Sequence, residues 1–335
     1  TSITNIKELL KHYPRGEKWL RFAMHEFGPK ETYEWFENNK IPLKTEDNRV
    51  FPKSNKGKDV IEMFQKILKA NNVKILFNET ATKIKKTNKS FKISTSSNES
   101  IQADKIIITT GGNTYTQTGS TGDGYKFAKS LGHTITPLAP SLTSFISNQK
   151  WIKQLAGVSI PKAKLKITGE KKYEFEGPFL FTHKGLTGPA IFAISAMSAH
   201  EKCTPNKPLK LFIDLIPTKT YTSLTSEITK AHNKTILQAV SSFIPKSLTK
   251  TLLQNLTIDP NKKISETSQK NVNRTIEILK NIKIPLTERP PGNEIVTAGG
   301  IDLNEVNQKT MESKICPNLY FARRNSKHRW IYWWI

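Results

Sequence analysis

The sequence predicts an α/β domain that is interrupted by a β-rich module and a helical module and then resumed. One observation is a run of β-branched apolar residues, Ile106-Ile107-Ile108, that ends in Thr109-Thr110-Gly111-Gly112: a short buried strand broken by a glycine pair. Another is a second glycine cluster, Thr118-Gly119-Ser120-Thr121-Gly122-Asp123-Gly124, which opens a helical pattern over 125–131. The last is the return of strand character after Pro290-Pro291-Gly292, in Ile295-Val296-Thr297-Ala298-Gly299-Gly300-Ile301 and Leu319-Tyr320-Phe321-Ala322. Glycines after a strand let the backbone turn sharply or come close to a ligand. The free N–H groups of the helix that follows face outward. Such a pair of loops would seat a phosphate-bearing cofactor, and two ordinary loops of an α/β domain would read the same way.

Taken in order, residues 1–40 read as helical. Trp19, Phe22, Ala23 and Phe27 fall near one face before Gly28-Pro29, and Tyr33, Trp35 and Phe36 mark a second helix. Aromatic stripes at this spacing belong to a core, and His12 and His25 read as surface or satisfied core residues. Arg49-Val50-Phe51-Pro52 precedes an amphipathic helix over 59–70, built on Val60, Ile61, Phe64, Ile67 and Leu68. Strand-like runs follow at 73–77, 81–85, 91–95 and 101–109. From 141 to 214 short strands with glycine turns (142–146, 165–168, 179–182, 209–215) suggest a small barrel or sandwich, interrupted by a helical patch at 188–195. Residues 221–281 are polar and helical, with breaks at Pro245 and Pro260. The expected organisation is 1–139 for the first part of the α/β domain, 140–218 for an inserted β-barrel, 219–289 for an inserted helical subdomain, and 290–322 for the resumed domain. No strand–GxGxxG–helix occurs, so the dinucleotide fingerprint is absent from this sequence.

Composition narrows the function classes. The hydrophobic share is 36%, yet six Trp and sixteen Phe are spread along 335 residues, enough for a core. No run approaches a membrane span, and no charged-then-apolar signal pattern opens the sequence. Cys203 and Cys316 are far apart and have no CxxC partner, which argues against a structural zinc or a disulfide framework. We therefore expect no metal and a cytoplasmic location. The net charge of +24 invites a nucleic-acid reading. The lysines, however, are scattered among Asn, Ile, Ser and Thr, as in a chain encoded by AT-rich DNA, with no basic arm or aromatic-interleaved strand. Charge alone reads as a solvated surface, so we expect neither nucleic acid nor membrane as partner, and a small molecule as substrate. Oligomeric state is left open.

The ordered motifs bear a likeness that single motifs do not. Ile3-Thr4-Asn5, Arg49-Val50-Phe51-Pro52, Thr110-Gly111-Gly112, Gln117 through Tyr125, Phe181-Thr182-His183-Lys184-Gly185-Leu186-Thr187-Gly188-Pro189, Val296-Thr297-Ala298-Gly299-Gly300 and Lys309-Thr310-Met311-Glu312-Ser313-Lys314 follow one another collinearly. With them the chain resembles the BaiN/YhiN-type family of FAD-dependent oxidoreductases, of aminoacetone-oxidase type and related to the fumarate reductase and succinate dehydrogenase flavoproteins. The resemblance implies an incomplete, discontinuous FAD-binding Rossmann-like domain holding an inserted β-barrel and an inserted helical subdomain. It implies FAD as cofactor, NAD(P)H as a candidate reductant, and reduction of an activated C=C or oxidation of an amine. By position it implies that Thr110, Gly111 and Gly112, then Asp123 and Gly124, then Gly299 and Gly300 approach the cofactor, and that the main chain at Ala81 meets the adenine. Asp123 would equally serve as a helix cap. His183 and Arg49 are the polar candidates on the substrate side, for orienting or protonating a substrate and for holding an anionic group. A loop histidine bonded to backbone and an arginine in a salt bridge are the ordinary alternatives.

Two departures from the family pattern stand out. Family members carry a glycine-rich βαβ unit and a Gly-Gly-Gly-Arg-Cys-Asn segment ahead of Thr4-Asn5, so the pyrophosphate cradle is expected to be missing here. After Ala322 the family continues with Gly-Glu, Asp-Gly and Gly-Gly, whereas residues 323–335 are basic and tryptophan-rich. Read one base later, with permitted codons, that stretch spells Gly-Glu-Ile-Leu-Asn-Ile-Asp-Gly-Phe-Thr-Gly-Gly, so we expect 323–335 to be out of frame; an aromatic-basic membrane-surface tail is the alternative. The rival functions are a non-catalytic remnant unable to hold FAD and a basic nucleic-acid-binding protein.

Overall fold

The computed structural model describes residues 5–322 apart from 14, 15, 47, 291 and 293. Ile3-Thr4 and the expected out-of-frame tail at 323–335 lie outside the described residues. The chain divides into two units, Thr1–Leu138 with Thr297–Ile335 and the intervening Ala139–Val296.

The first unit begins with three helices, α1 (Ile6–Lys11), α2 (Glu17–Glu26) and α3 (Pro29–Asn38). The Asn5 side chain accepts from Lys7 N to start α1. The Glu31 carboxylate accepts from Gly28 N at 2.9 Å, and Pro29 enters α3 in its first turn, so the Gly28-Pro29 break is built from local capping. A hairpin follows, β1 (Leu43–Glu46) with β2 (Arg49–Pro52), then the amphipathic α4 (Gly57–Ala70). β3 (Ala81–Lys86), β4 (Phe91–Thr95) and β5 (Ser100–Ala103) form an antiparallel meander. β6 (Ile106–Ile108), α5 (Asp123–Ser130) and β7 (Ile135–Ser141) lead out of the unit.

Two readings from the sequence change here. The run at 101–109 is two strands rather than one, because β5 pairs antiparallel in the meander while β6 belongs to a different, parallel pair. Residues 73–77 form no strand. Apolar alternation makes a strand only when a neighbour takes up its N–H and C=O groups. Among the described residues none does, and Phe77 stays 71% exposed.

The second unit is a barrel-like sheet with helices. Its elements are β8 (Phe145–Ile146), α6 (Lys150–Lys153), β9 (Ser159–Thr168), β10 (Lys172–Phe181), β11 (Gly185–Thr187), α7 (Pro189–Met197), β12 (Leu209–Asp214), α8 (Tyr221–Lys230), α9 (Ile236–Val240), α10 (Lys246–Asn255), α11 (Gln269–Lys280) and β13 (Ile282–Leu286). Strand order is β13-β12-β9-β10-β11-β8. Ile146 N donates to Glu288 O and Thr287 N to Ile146 O, both at 2.9 Å, so the outermost strand meets the chain just past β13 and the sheet nearly closes. On β9, Ala163, Leu165 and Ile167 point inward while Lys162 and Lys164 alternate outward. The β-rich and helical stretches share one hydrophobic core, in which Leu224, Ile236, Leu248 and Ile276 of the helices join Leu165, Phe181 and Leu211 of the strands. The chain then returns along β14 (Val296–Ile301), which pairs with β7, and ends its described part in β15 (Leu319–Phe321).

Candidate active site

The strand that leads into Thr110-Gly111-Gly112 is fixed by the returning chain. β15 runs parallel to β6, with Leu319 opposite Ile106 and Phe321 opposite Ile108. Ile108, Phe127, Ala128, Ile301, Leu319 and Phe321 meet in one buried cluster beneath, so β6, α5, β14 and β15 are packed by the same apolar contacts. At the strand end Gly111 takes φ +84, a left-handed turn that glycine adopts without a side-chain clash. The carbonyl of Gly112 accepts from Gly122 N at 3.1 Å, which ties the two glycine loops together. Asn113 N donates to Thr297 Oγ1 at 2.9 Å. Thr136 Oγ1 donates to Gly300 O at 2.9 Å and accepts from Gly300 N at 3.1 Å. Two neighbouring loops, around Gly111 and Asp123, and a stretch far away in sequence, around Gly300, are thereby assembled at one end of the β6–β15 pair.

Why these positions are glycine is partly a matter of the protein's own packing. A Cβ at Gly112 would lie 3.1 Å from Thr297 Oγ1 and 3.3 Å from Tyr125 Oη. A Cβ at Gly299, where φ is +88, would lie 2.1 Å from the Pro137 carbonyl oxygen. Burial pushes the Tyr125 phenol up to about 12, so that side chain remains neutral at the bottom of the site.

Asp123 opens α5, and Gly124 is buried in the same first turn. The Thr121 hydroxyl and the Lys126 ammonium, 2.9 Å away, hold the Asp123 carboxyl below the usual carboxylate range. It is therefore ionised at neutral pH. A helix start ordinarily welcomes an anion, but a carboxylate already standing there repels a phosphate. The geometry offers a negatively charged acceptor for a hydroxyl or N–H donor.

The remaining candidates are on other elements. Ala81 starts β3 opposite Thr95 and is half-buried against the same cluster as Phe127. Arg49 begins β2, opposite Glu46, with its guanidinium 6.0 Å from the Phe51 ring centroid. His183 is in the second unit, exposed on the turn between β10 and β11, where Thr182 Oγ1 accepts from Gly185 N at 3.0 Å. Sequence reasoning missed Thr136, Tyr125 and Thr297 as site-builders. Thr297 and Tyr125 lie inside quoted motifs, the Val-Thr-Ala-Gly-Gly stretch and the Gln117–Tyr125 stretch, and were within reach; Thr136 carries no local signal. Among the described residues no group of three or more His, Cys, Asp or Glu could hold a metal, both cysteines are free thiols, and no helix is long and apolar enough to cross a membrane.

Comparison with known proteins agrees with the motifs. The chain is similar to the 3-dehydro-bile acid delta(4,6)-reductase of Clostridium scindens (strain ATCC 35704 / DSM 5676 / VPI 13733 / 19), 26% identical over 317 residues that cover 93% of this chain and 77% of that protein. It is also similar to the ribosomal RNA dihydrouridine synthase of Escherichia coli (strain K12), 30% identical over 230 residues, 66% of this chain and 54% of the synthase. The ribosomal RNA dihydrouridine synthase of Haemophilus influenzae (strain ATCC 51907 / DSM 11121 / KW20 / Rd) is 28% identical over 230 residues, 66% of this chain and 53% of that protein. The matches thus span about half the length of the two synthases. The family described as the HI0933-like protein Rossmann domain matches residues 1–323. The resemblance read from the ordered motifs is borne out, and the chain belongs to the HI0933-like protein Rossmann domain family.

Proposed function

We propose that the chain forms part of an FAD-dependent reductase that adds hydrogen across a C=C bond conjugated to a carbonyl. The observation that carries this reading is the assembly of Gly111-Gly112, Asp123-Gly124 and Gly299-Gly300 at one end of the β6–β15 pair, in a chain of this family. A delta(4,6)-reductase of a 3-oxo compound and a dihydrouridine synthase, the names its relatives carry, both saturate such a bond. That shared chemistry favours reduction over amine oxidation. Bound flavin supplies the hydride, and NAD(P)H is the candidate source of its electrons. The ionised Asp123 carboxylate accepts a cofactor hydroxyl, the glycine main chain allows close approach, and the main chain at Ala81 faces the adenine. Arg49 holds an anionic group of the substrate, and His183 is the proton donor to the carbon next to the carbonyl. The compartment we propose is the cytoplasm.

A second reading concerns the substrate. Scattered lysines do not by themselves indicate nucleic acid, but the +24 charge together with similarity to two RNA-modifying synthases favours a uracil base in RNA over a small molecule. The test is to incubate the purified chain with FAD and NAD(P)H and offer it an unmodified rRNA transcript or a 3-oxo-4,6-diene steroid. We expect flavin to stay with the protein through gel filtration and the RNA to gain two hydrogens per modified uridine by mass. Reduction of the steroid alone would return the small-molecule substrate. Failure to retain FAD would overturn the flavin reading and leave the non-catalytic remnant.

A further inference from the structure

We propose that the second unit carries a binding subsite for single-stranded RNA, an open pocket between α6 and the end of α10. It rests on the reading of RNA as substrate and says where this chain grips it.

The pocket has a cavity volume of about 560 Å3. Its rim is built from two short segments whose apolar residues face the core. Ile152 and Leu155 anchor the first, and Leu248, Leu252 and Leu253 anchor α10. What the segments leave outside is chemically uniform. Five side-chain amides line the pocket, from Asn148, Gln149, Gln154, Gln254 and Asn255. Trp151 and Lys150 complete it.

Each amide presents one acceptor and two donors, the complement of a base edge. Those of Asn148, Gln154, Gln254 and Asn255 make no hydrogen bond among the described residues, while Gln149 Oε1 accepts from the Trp151 indole N–H at 3.2 Å. That bond orients the indole, whose ring is half-buried and packed at 6.1 Å from Phe181, so a fixed aromatic face borders the amides. Stacking on such a face tolerates any base.

Charge selects the ligand class. Residues 147–158 and 246–257 hold no acidic residue, and they carry Lys150, Lys153, Lys246 and Lys250. None of these four lysines has an ion-pair partner among the described residues. On the outer face of β9 and β10, by contrast, Lys162 and Lys164 are paired with Glu176 and Glu174 at 3.1 Å. Amides and an indole would suit a neutral sugar equally. Four unpaired lysines with no carboxylate between them suit a phosphate-linked chain, whose backbone they neutralise while the amides meet bases.

The test uses the full chain and a fluorescein-labelled single-stranded oligoribonucleotide, followed by anisotropy at several salt concentrations. Gln254→Glu and Lys150→Glu place carboxylates on the exposed rim without touching the core, and Trp151→Ala removes the stacking face. We expect each to weaken binding by about tenfold or more, Trp151→Ala by losing the stacked base and the two new carboxylates by opposing the backbone phosphates. An oligonucleotide carrying 4-thiouridine should photo-crosslink to the peptide that contains Trp151. If wild-type protein binds RNA and the variants bind equally well, or the crosslinks map elsewhere, the subsite is wrong and the RNA reading stands. If wild-type protein binds no RNA, both fall. An oligosaccharide that protects Trp151 where RNA does not would also overturn the proposal.

Discussion

Glycines in the first unit are constrained to different degrees, and alanine substitution separates the causes. At Gly299 the left-handed φ of +88 coincides with a Cβ position 2.1 Å from a backbone oxygen, which cannot move aside. Left-handed backbone and a forced overlap together predict a loss of about 2–5 kcal/mol for Gly299→Ala. At Gly119, φ is +87 and nothing lies within 4 Å of the added methyl, so Gly119→Ala should lose only the left-handed term, about 1–2 kcal/mol. Gly112 lacks the left-handed φ and would press on the Thr297 hydroxyl at 3.1 Å, a side chain that can give by a few tenths of an ångström, so Gly112→Ala should lose less than Gly299→Ala. Urea unfolding of the three variants checks the order, and equal losses would mean that packing is not what keeps Gly299 a glycine. The presence of these glycines was legible in the sequence, because a glycine pair after an apolar run is a local signal. Their reason was not, since Thr297 stands 184 positions from Asn113. Asp123 was legible as a helix start, but the sign of the ligand it accepts depends on Thr121 and Lys126 holding it ionised, a matter of side-chain geometry.

At the scale of elements, the position of β15, and with it β6, depends on a polar clasp that the sequence does not announce. His133, with its side chain fully buried, meets Glu305 Oε2 through Nδ1 at 3.0 Å and Ser313 Oγ through Nε2 at 2.8 Å, and its ring stands edge-on to Phe321 of β15. Hydrogen bonds from Thr134 hold the Glu305 carboxyl below its usual range against the opposing effect of burial, so Nδ1–H donates to a carboxylate and Nε2 accepts the Ser313 hydroxyl proton. Ser313 Oγ in turn accepts from the Cys316 and Ile315 N–H groups. Burial pushes the His133 imidazole down, with Glu305 opposing. A histidine with a depressed folded pKa is protonated first in the unfolded chain, so its contribution is complete above the ordinary value of 6.5 and is lost as pH falls through the folded value. Glu305 adds a second loss below its ordinary 4.5. We expect unfolding free energy to decline from pH 6.5 downward, and His133→Ala to flatten the first part of that decline. The variant should also cost about 2–4 kcal/mol at neutral pH, from buried groups left unpaired and lost packing. Denaturant melts at half-unit pH steps measure both, and an unchanged slope in the variant would assign the decline to other groups. Periodicity found the helices because their signal is local. It could not find this clasp, whose members are 172 and 180 positions apart, nor tell that 73–77 lacks a neighbouring strand.

At the scale of the whole molecule, the two units differ in how much apolar surface each buries within itself. The second has one large continuous core shared by sheet and helices, whereas the first is held by a smaller cluster under β6 and a separate one among α1 and α2. The first unit also leaves Ile61, Phe64, Val73, Phe77 and Ile107 exposed, the last at 65% on a strand of a parallel pair, and such strands are ordinarily covered on both faces. Unequal cores predict two calorimetric transitions, the first unit melting at the lower temperature. Ligand linkage then identifies them: a cofactor that binds only the folded first unit stabilises it by about 2.7 kcal/mol at a hundredfold excess over its dissociation constant. For a unit of this size that is an upward shift of roughly 5–10 °C. Calorimetry with and without FAD should therefore move the lower transition and leave the upper one in place. A shift of the upper transition alone would put the flavin contacts in the barrel and not at Asp123, and a single transition that FAD does not move would contradict both the separate cores and the site built around β6.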